Sequence, residues 1–204
     1  FLDIETTGGN SSRDRITEIG IRFWQDGQVL GEWQTLLNPD TRIPSFIERF
    51  TGISDGMVAS APRFEDIADD LEAQLAGKIF VAHNARFDYG FIKSEFRRLG
   101  RLFSARVLCT VKLSRRLYTG FRRHNMDALI ERHNLGAVQR HRAMGDVSAM
   151  LRFFECALAE HGDSVFRDAL QELLQRPSIP SHLPLDILRD LPRAPGVYRF
   201  YGEN

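Results

Sequence analysis

The sequence has few cysteines and no long apolar run. Its two cysteines, Cys109 and Cys156, have no CxxC or ligand-like spacing, which argues against a disulfide framework and favours a reduced, cytoplasmic compartment. No apolar run approaches the roughly 20 residues of a membrane helix, so we expect no membrane partner. With 43% hydrophobic residues in 204, the chain is expected to form one well-buried domain and a smaller piece.

Lysine is also scarce. Of the 27 basic residues, only Lys78, Lys93 and Lys112 are lysines, and the rest are arginines. The formal net charge is zero, but residues 86–142 carry 14 basic and 4 acidic side chains, and both flanking regions are acidic. The planar fork of arginine binds phosphate, so this Arg-rich block favours a nucleic-acid partner. A solvated, arginine-biased surface is the alternative.

The first 40 residues have the pattern of three strands. Residues 1–5 are expected to form a strand that ends in a Thr-Thr-Gly turn. In 16–24, apolar residues alternate with Glu18, Gly20 and Arg22, which is typical of a half-covered strand. Asp26-Gly27 is a hairpin signal, and 29–37 supplies the third strand, so we expect an antiparallel meander.

After the third strand, the spacing of apolar residues changes to the period of a helix. Between Pro62 and Gly77, apolar residues recur at helical spacing. A strand over 78–83 leads into a helix that begins near Asp88, and further helices are expected over 125–134 and 145–160. This order predicts an α/β fold with a mixed β-sheet flanked by α-helices.

Asp3 and Glu5 are the first candidate site residues. They are two apart in a strand, so both side chains project from one face about 7 Å apart along the backbone. Such a pair is costly in an apolar strand unless a cation neutralises it, and the alternative is an exposed face with two solvated acids. The turn that follows favours a site, because free hydroxyls and amides of Thr6, Thr7 and Gly8 suit the terminus of a substrate.

Asp88 is a third candidate carboxylate. It follows a strand, in the crevice where open α/β sheets bind ligands, although Asp is also a favoured helix N-cap. Nearby, Asn84 can fix a carboxylate or a substrate group, and Phe87 can stack on a base. These neighbours favour a functional site over a cap.

His141 and Asp146 complete the set. A helix starting near Gly145 places His141 in the preceding loop and Asp146 in the first turn; a surface histidine is the alternative. Carboxylate oxygens suit Mg²⁺ or Mn²⁺ rather than Zn²⁺. Two such ions about 3.5–4 Å apart stabilise the attacking and leaving oxygens of a displacement at phosphorus, and a histidine takes the proton of the water. The residues predict a two-metal nuclease.

Three segments carry a family resemblance. Asp3-x-Glu5-Thr6-Thr7-Gly8, Asn84-x-x-Phe87-Asp88 and His141-x4-Asp146 resemble the three motifs of the DEDDh 3′→5′ exonucleases, and residues 1–160 resemble the epsilon (DnaQ-like) proofreading family of bacterial DNA polymerase III. The resemblance implies a ribonuclease H-like fold. It implies that Asp3, Glu5, Asp88 and Asp146 hold two divalent cations and that His141 is the general base.

The same resemblance implies a substrate and its binding residues. The substrate is the single-stranded 3′ end of DNA, from which nucleoside 5′-monophosphates are released. The implied substrate-binding residues are Thr6, Thr7, Gly8, Thr51, Asn84 and Phe87, although many relatives have histidine at the position of Thr51.

The C-terminal segment differs in composition. Five prolines between 177 and 195 indicate an extended Pro-rich tail or linker. Beyond it, Leu191-Pro192-x-x-Pro195-Gly196-Val197-Tyr198-x-Phe200-Tyr201 resembles the opening of a GIY-YIG (UvrC-like) endonuclease domain. We therefore expect an exonuclease domain over 1–162, a helical segment and Pro-rich linker over 163–190, and a truncated GIY-YIG-like beginning over 191–204.

The leading interpretation is a 3′→5′ exodeoxyribonuclease in replication proofreading or repair. A 3′→5′ exoribonuclease is the alternative within the enzyme class, because the same five residues cleave RNA in sister enzymes. A different class is a non-catalytic module that docks on a DNA polymerase or a repair protein. The complete set of catalytic residues argues against this last reading.

Overall fold

The computed structural model describes residues 1–136 and 139–175. The strands are β1 (Leu2–Thr6), β2 (Ile16–Gln25), β3 (Gln28–Leu36), β4 (Ile79–Ala82) and β5 (Arg106–Cys109). The helices are α1 (Ser45–Thr51), α2 (Asp55–Val58), α3 (Phe64–Leu75), α4 (Arg86–Arg98), α5 (Thr110–Leu117), α6 (Met126–Arg132) and α7 (Ala143–Gln175). The Pro-rich linker from 176 and the GIY-YIG-like segment lie outside the described residues.

The strands form an antiparallel group and a parallel group. In the meander β1–β2–β3, Asp3 pairs with Gly20 and Glu5 with Glu18, which confirms the expected meander. β4 and β5 run parallel, with Ala82 opposite Cys109, and β4 contacts β1. Because strands of both orientations are flanked by helices, the expected mixed α/β architecture is confirmed.

One side of the strands is covered by α3 and α4. Phe64, Leu71 and Leu75 of α3 are buried, as their spacing predicted, and they meet Phe91 and Phe96 of α4. The Phe64 and Phe96 rings pack edge to face with centroids 5.2 Å apart. This packing fixes the first turn of α4, which carries Asp88, against β1.

The other side is covered by α7, which corrects one expectation. β2 was expected to be half covered, but every residue from 16 to 21 is buried, including Glu18 and Gly20. A Cβ on Gly20 would lie 2.9 Å from the backbone nitrogen of Met144. Glycine therefore lets the first turn of α7 rest directly on the strand.

The start of α7 is also shaped by the close approach of the preceding loop to its first turn. The helix begins at Ala143, two residues before the expected start at Gly145. A Cβ on Gly145 would lie 1.8 Å from the carbonyl oxygen of Gln139, so the loop that carries His141 crosses the first turn of the helix. Farther on, Gly162 interrupts the helix with φ 75°, and Phe166 beyond it packs on Phe154.

Several short elements were not predicted, namely α1, α2, β5 and α5. Each has eight residues or fewer, as do β4 and α6, which were expected. Within the described ranges, no helix is both long and apolar enough to cross a membrane. Cys109 and Cys156 are both free thiols.

Candidate active site

Four predicted carboxylates meet at one end of β1. Carboxylate oxygens of Asp3, Glu5 and Asp146 all lie within 4.8 Å of one another. Asp88, in the first turn of α4, is buried, and its charge acts on the carboxyls of Asp3 and Glu5. The strand, α4 and the first turn of α7 thus bring together groups from three distant segments.

The ionisation of Asp3, Glu5 and Asp88 is disfavoured in the folded chain. Burial raises the pKa of Asp3 well above its ordinary value, and the charges of Asp88, Asp146 and Glu5 raise it further. Burial, followed by the charges of Asp146, Glu18 and Asp88, raises the pKa of Glu5 to about 8.

The pKa of Asp88 is raised by burial to about 7, against backbone hydrogen bonds from its own amide and from Ile4. Negative charge in excess and oxygen-only donors are the conditions that suit a hard divalent cation such as Mg²⁺ or Mn²⁺. The residues present therefore fit the implied metal ions.

Arg140 is a positive group in contact with this cluster, and no motif in the sequence pointed to it. Its Nη1 atom forms an ion pair with Asp146, and its Nε atom lies 2.7 Å from Oδ1 of Asp127. The charge of Arg140 opposes the rise in the pKa of Asp3 and of Glu5. One guanidinium beside four carboxylates leaves negative charge uncompensated.

His141 lies in the loop before α7, as predicted. Its backbone is left-handed, with φ 60°, and its side chain is half-buried. The ring centroid lies 3.9 Å from that of Phe50, the penultimate residue of α1, which is 57% exposed. Among the described residues, neither ring nitrogen of His141 has a hydrogen-bond partner, so both are available to water.

Glu18 supports the segment between His141 and Asp146. It is fully buried, and its carboxylate accepts hydrogen bonds from Arg142 Nη2 (2.6 Å), Ala143 N (2.9 Å) and Gln34 Nε2 (2.8 Å). Burial raises the pKa of Glu18, but the hydrogen bonds from Arg142, Ala143 and Gln34 outweigh it and the pKa falls below 4.5. The ionised carboxylate therefore holds the start of α7 against β2.

The turn after β1 differs from the expectation of free hydroxyls. The Thr6 hydroxyl donates to the Gly8 carbonyl at 2.6 Å, and the Thr7 hydroxyl accepts from the Arg15 amide at 3.0 Å. Both threonines are buried. Both hydroxyls have partners within the turn, so the expectation that they are free was wrong, while their contact with a substrate stays a prediction.

The other predicted substrate residues have different surroundings. Thr51 is buried at the end of α1, where its hydroxyl donates to the Ile47 carbonyl at 3.0 Å. Asn84 is exposed and has a left-handed backbone, with φ 61°. Phe87 is half-buried, and its ring packs on that of Phe91 at 4.8 Å. Of these three side chains, only that of Asn84 is exposed to solvent.

His83, at the end of β4, is another polar group at the site. Its Nδ1 atom lies 2.8 Å from the Thr110 hydroxyl, which begins α5. Burial and then the charge of Arg140 lower its pKa to about 4, so the ring is neutral at physiological pH. The His83–Thr110 contact joins the carboxyl ends of β4 and β5.

Comparison with known proteins gives the family. Residues 1–154 match the family described as Exonuclease (RNase_T). The chain belongs to the exonuclease family. Exonuclease X in complex with 5′ overhanging duplex DNA superposes with a TM-score of 0.66 at 25% identity, over 85% of this chain and 95% of that one. The ribonuclease H-like fold expected from the resemblance is confirmed.

Curated relatives of this exonuclease-family chain are much longer. A DNA polymerase III PolC-type from Caldanaerobacter subterraneus subsp. tengcongensis is 38% identical over 153 residues, 75% of this chain and 11% of that protein. A 3'-5' exonuclease DinG from Bacillus subtilis (strain 168) is 36% identical over 178 residues, 86% of this chain and 18% of that protein. The chain therefore spans less than a fifth of either relative.

The first prediction concerns Glu18. Glu18→Ala leaves the Arg142 guanidinium and the Ala143 amide without their shared acceptor, and we expect it to lower the free energy of unfolding by about 3–5 kcal/mol. Urea denaturation measures the loss. Glu32→Ala is the matched control, because Glu32 pairs with Arg22 on the same sheet but is 50% exposed, and such surface pairs contribute about 0–1 kcal/mol. Equal losses in the two variants would contradict the role assigned to Glu18.

The second prediction concerns pH in the metal-free exonuclease domain. Because folding raises the pKa of Glu5 from 4.5 to about 8, the folded chain retains a proton that the unfolded chain has lost between these values. The stabilisation from this group is complete below pH 4.5 and is lost as the pH rises through about 8. In EDTA, we expect the Tm of the native protein to fall over this window more steeply than that of Glu5→Gln.

An exposed acid provides the control for this comparison. Glu131→Gln, on the surface of α6, is expected to follow the native profile. Parallel Tm profiles for the native protein and Glu5→Gln would show that the Glu5 carboxyl ionises normally in the folded chain.

Proposed function

We propose that this chain is a metal-dependent 3′→5′ exonuclease that releases nucleoside 5′-monophosphates from DNA. The observation that carries the proposal is the cluster of four buried or half-buried carboxylates beside an accessible histidine. Relatives named as a 3'-5' exonuclease DinG and as a DNA polymerase III PolC-type support the polarity and the DNA substrate. They also support a place in replication or repair, with a polymerase or repair protein as a partner.

In this proposal the cluster holds two divalent cations, Mg²⁺ or Mn²⁺. When bound, such ions stabilise the negative charge that develops on the attacking and leaving oxygens at phosphorus. Asp3, Glu5, Asp88 and Asp146 supply the oxygen ligands. The raised pKa values of Asp3, Glu5 and Asp88 favour exchange of bound protons for cations, because a cation relieves the repulsion that contributes to those values.

His141 accepts the proton of the attacking water. The water oxygen forms a bond to phosphorus, the bond from phosphorus to the 3′ oxygen of the preceding nucleotide breaks, and that oxygen takes a proton to become the new 3′ hydroxyl. The two ring nitrogens have no hydrogen-bond partner among the described residues, and Phe50 covers one face of the ring. The ring is therefore free to bind water while its neighbour limits its orientation.

The terminal nucleotide is bound between α1 and the turn after β1. Phe46 and Phe50 of α1 are exposed aromatic residues, and such rings provide stacking surfaces for bases. Thr6, Thr7, Gly8 and Thr51 contribute through the backbone shape that their hydrogen bonds maintain. Asn84, which is exposed, offers its amide to the substrate. Phe87 contributes indirectly, because its ring packs on Phe91 of the same helix, α4.

The domain arrangement is part of the proposal. We assign the exonuclease domain to 1–162, a helical segment and linker to 163–190, and a GIY-YIG-like beginning to 191–204. The break of α7 at Gly162 supports the first boundary. The resemblance of 191–204 to a GIY-YIG domain supports the last segment.

The third prediction tests the proposed activity. Asp3→Ala and Asp146→Ala are each expected to abolish digestion, as is EDTA, because either change removes the cation site. His141→Ala retains the ligands and is expected to reduce the rate roughly 10²–10⁴-fold. Glu131→Gln, an exposed acid on α6, is the matched control and should digest normally.

The assay follows 5′-labelled substrates over time with Mg²⁺ and with Mn²⁺. The substrates are single-stranded DNA, duplex DNA with a mispaired 3′ end, and RNA. A ladder shortened from the 3′ end of DNA is the expected result. Faster digestion of RNA would support the exoribonuclease, and full activity of Asp3→Ala would overturn the metal site.

A further inference from the structure

Most arginines of the Arg-rich block are already engaged within the protein. Their partners are carboxylates, a serine hydroxyl, backbone carbonyls or an aromatic ring, and the engaged residues are Arg97, Arg98, Arg101, Arg116, Arg132, Arg140 and Arg142. An engaged guanidinium must give up its partner before it binds a phosphate. These residues are therefore weak candidates for binding a nucleic-acid strand.

Within the same block, a smaller set of exposed basic side chains has no hydrogen bond, ion pair or cation–π contact in the described part of the chain. The set consists of Arg86, Arg106, Lys112, Arg115, Arg122 and Arg123. Arg106 stands at the amino end of β5, where it lines a cavity with Phe1 and Asp26. The others follow the carboxyl ends of β4 and β5, the end of the sheet at which His83 and Thr110 meet.

Arg122 and Arg123 lie in a loop that is held in place by other residues. Between α5 and α6, the His124 ring contacts the Ser114 hydroxyl at 2.8 Å and the Phe121 carbonyl at 2.9 Å. Arg132 donates to the Arg123 carbonyl, and its guanidinium lies 3.8 Å from the centre of the Phe121 ring. The loop backbone is thus fixed while the Arg122 and Arg123 side chains remain free.

This loop borders the carboxylate cluster. Asp127, four residues after Arg123 and in the first turn of α6, bonds Arg140, which bonds Asp146 of the cluster. The Asp127–Arg140–Asp146 chain therefore connects the start of α6, directly after this loop, to the cluster.

We propose that Arg122 and Arg123 bind phosphates of the substrate strand on the 5′ side of the cleaved bond. This inference rests on the proposed function. A 3′→5′ exonuclease releases a single nucleotide, so every phosphate beyond the scissile one lies on the 5′ side. Two free guanidiniums on a fixed loop beside the site offer charge and geometry that match consecutive phosphates.

The test compares a long and a minimal substrate. Arg122→Ala with Arg123→Ala is expected to raise the KM for a single-stranded oligonucleotide about 10- to 100-fold, with little change in kcat. Hydrolysis of the p-nitrophenyl ester of thymidine 5′-monophosphate, which has no upstream phosphate, should be unchanged. The slope of log KM against log salt should decrease by roughly 0.7 for each lost phosphate contact.

The control removes two exposed guanidiniums from the far end of the molecule. Arg106→Ala with Arg167→Ala is suitable, because Arg106 and Asp26 line one cavity at that end and Arg167 interacts with Asp26. This control should retain the native KM and salt slope. Arg122→Lys with Arg123→Lys, which keeps both charges, should restore most of the affinity.

Two results would overturn the proposal. One is an oligonucleotide KM for the Arg122 and Arg123 alanine variant that equals that of the control. The other is a parallel loss of ester hydrolysis, which would show that the loop supports the site rather than the strand. If the native protein digests neither substrate, the proposed function itself fails, and this result is distinct from the other two.

Discussion

Repulsion among buried carboxylates is the constraint on which the rest of this structure depends. Asp3 and Glu5 extend from β1, and Asp88 and Asp146 approach from α4 and α7. Burial and neighbouring charge raise the pKa values of Asp3, Glu5 and Asp88 at this meeting point. Arg140 offsets part of this charge through Asp146. Such an arrangement costs stability in the metal-free protein, and divalent cations relieve the cost, which connects folding directly to the proposed activity.

The surrounding structure holds these acids together through close backbone approach. Gly20 lets α7 lie on β2, and Gly145 lets the loop that carries His141 cross the helix. Glu18 then fixes the helix start through Arg142 and Ala143. Because Glu18 is paired with Glu5 across the strands, the residue that anchors the start of α7 and a carboxylate of the cluster lie side by side.

Sequence patterns were sufficient to predict the features that depend on the local spacing of residues. The spacing of Asp3 and Glu5 placed both on one strand face, and the spacing of His141 and Asp146 placed one in a loop and the other in a helix. The roles of Glu18 and Arg140 could not be predicted from the sequence. That of Glu18 depends on the packing of α7 on β2, and that of Arg140 depends on the loop before α7 lying next to the carboxylates. The Thr6 and Thr7 hydroxyls were misjudged for the same reason, since Arg15 and Gly8 become their partners only after folding.

The most direct test of the carboxylate cluster is to count the cations that it binds. Anomalous diffraction from crystals of the protein grown with Mn²⁺ locates each ion independently of activity. We expect two peaks about 3.5–4 Å apart, coordinated by Asp3, Glu5, Asp88 and Asp146, with Arg140 displaced from Asp146. A cluster without a manganese peak, in which Arg140 remains on Asp146, would contradict the two-metal site.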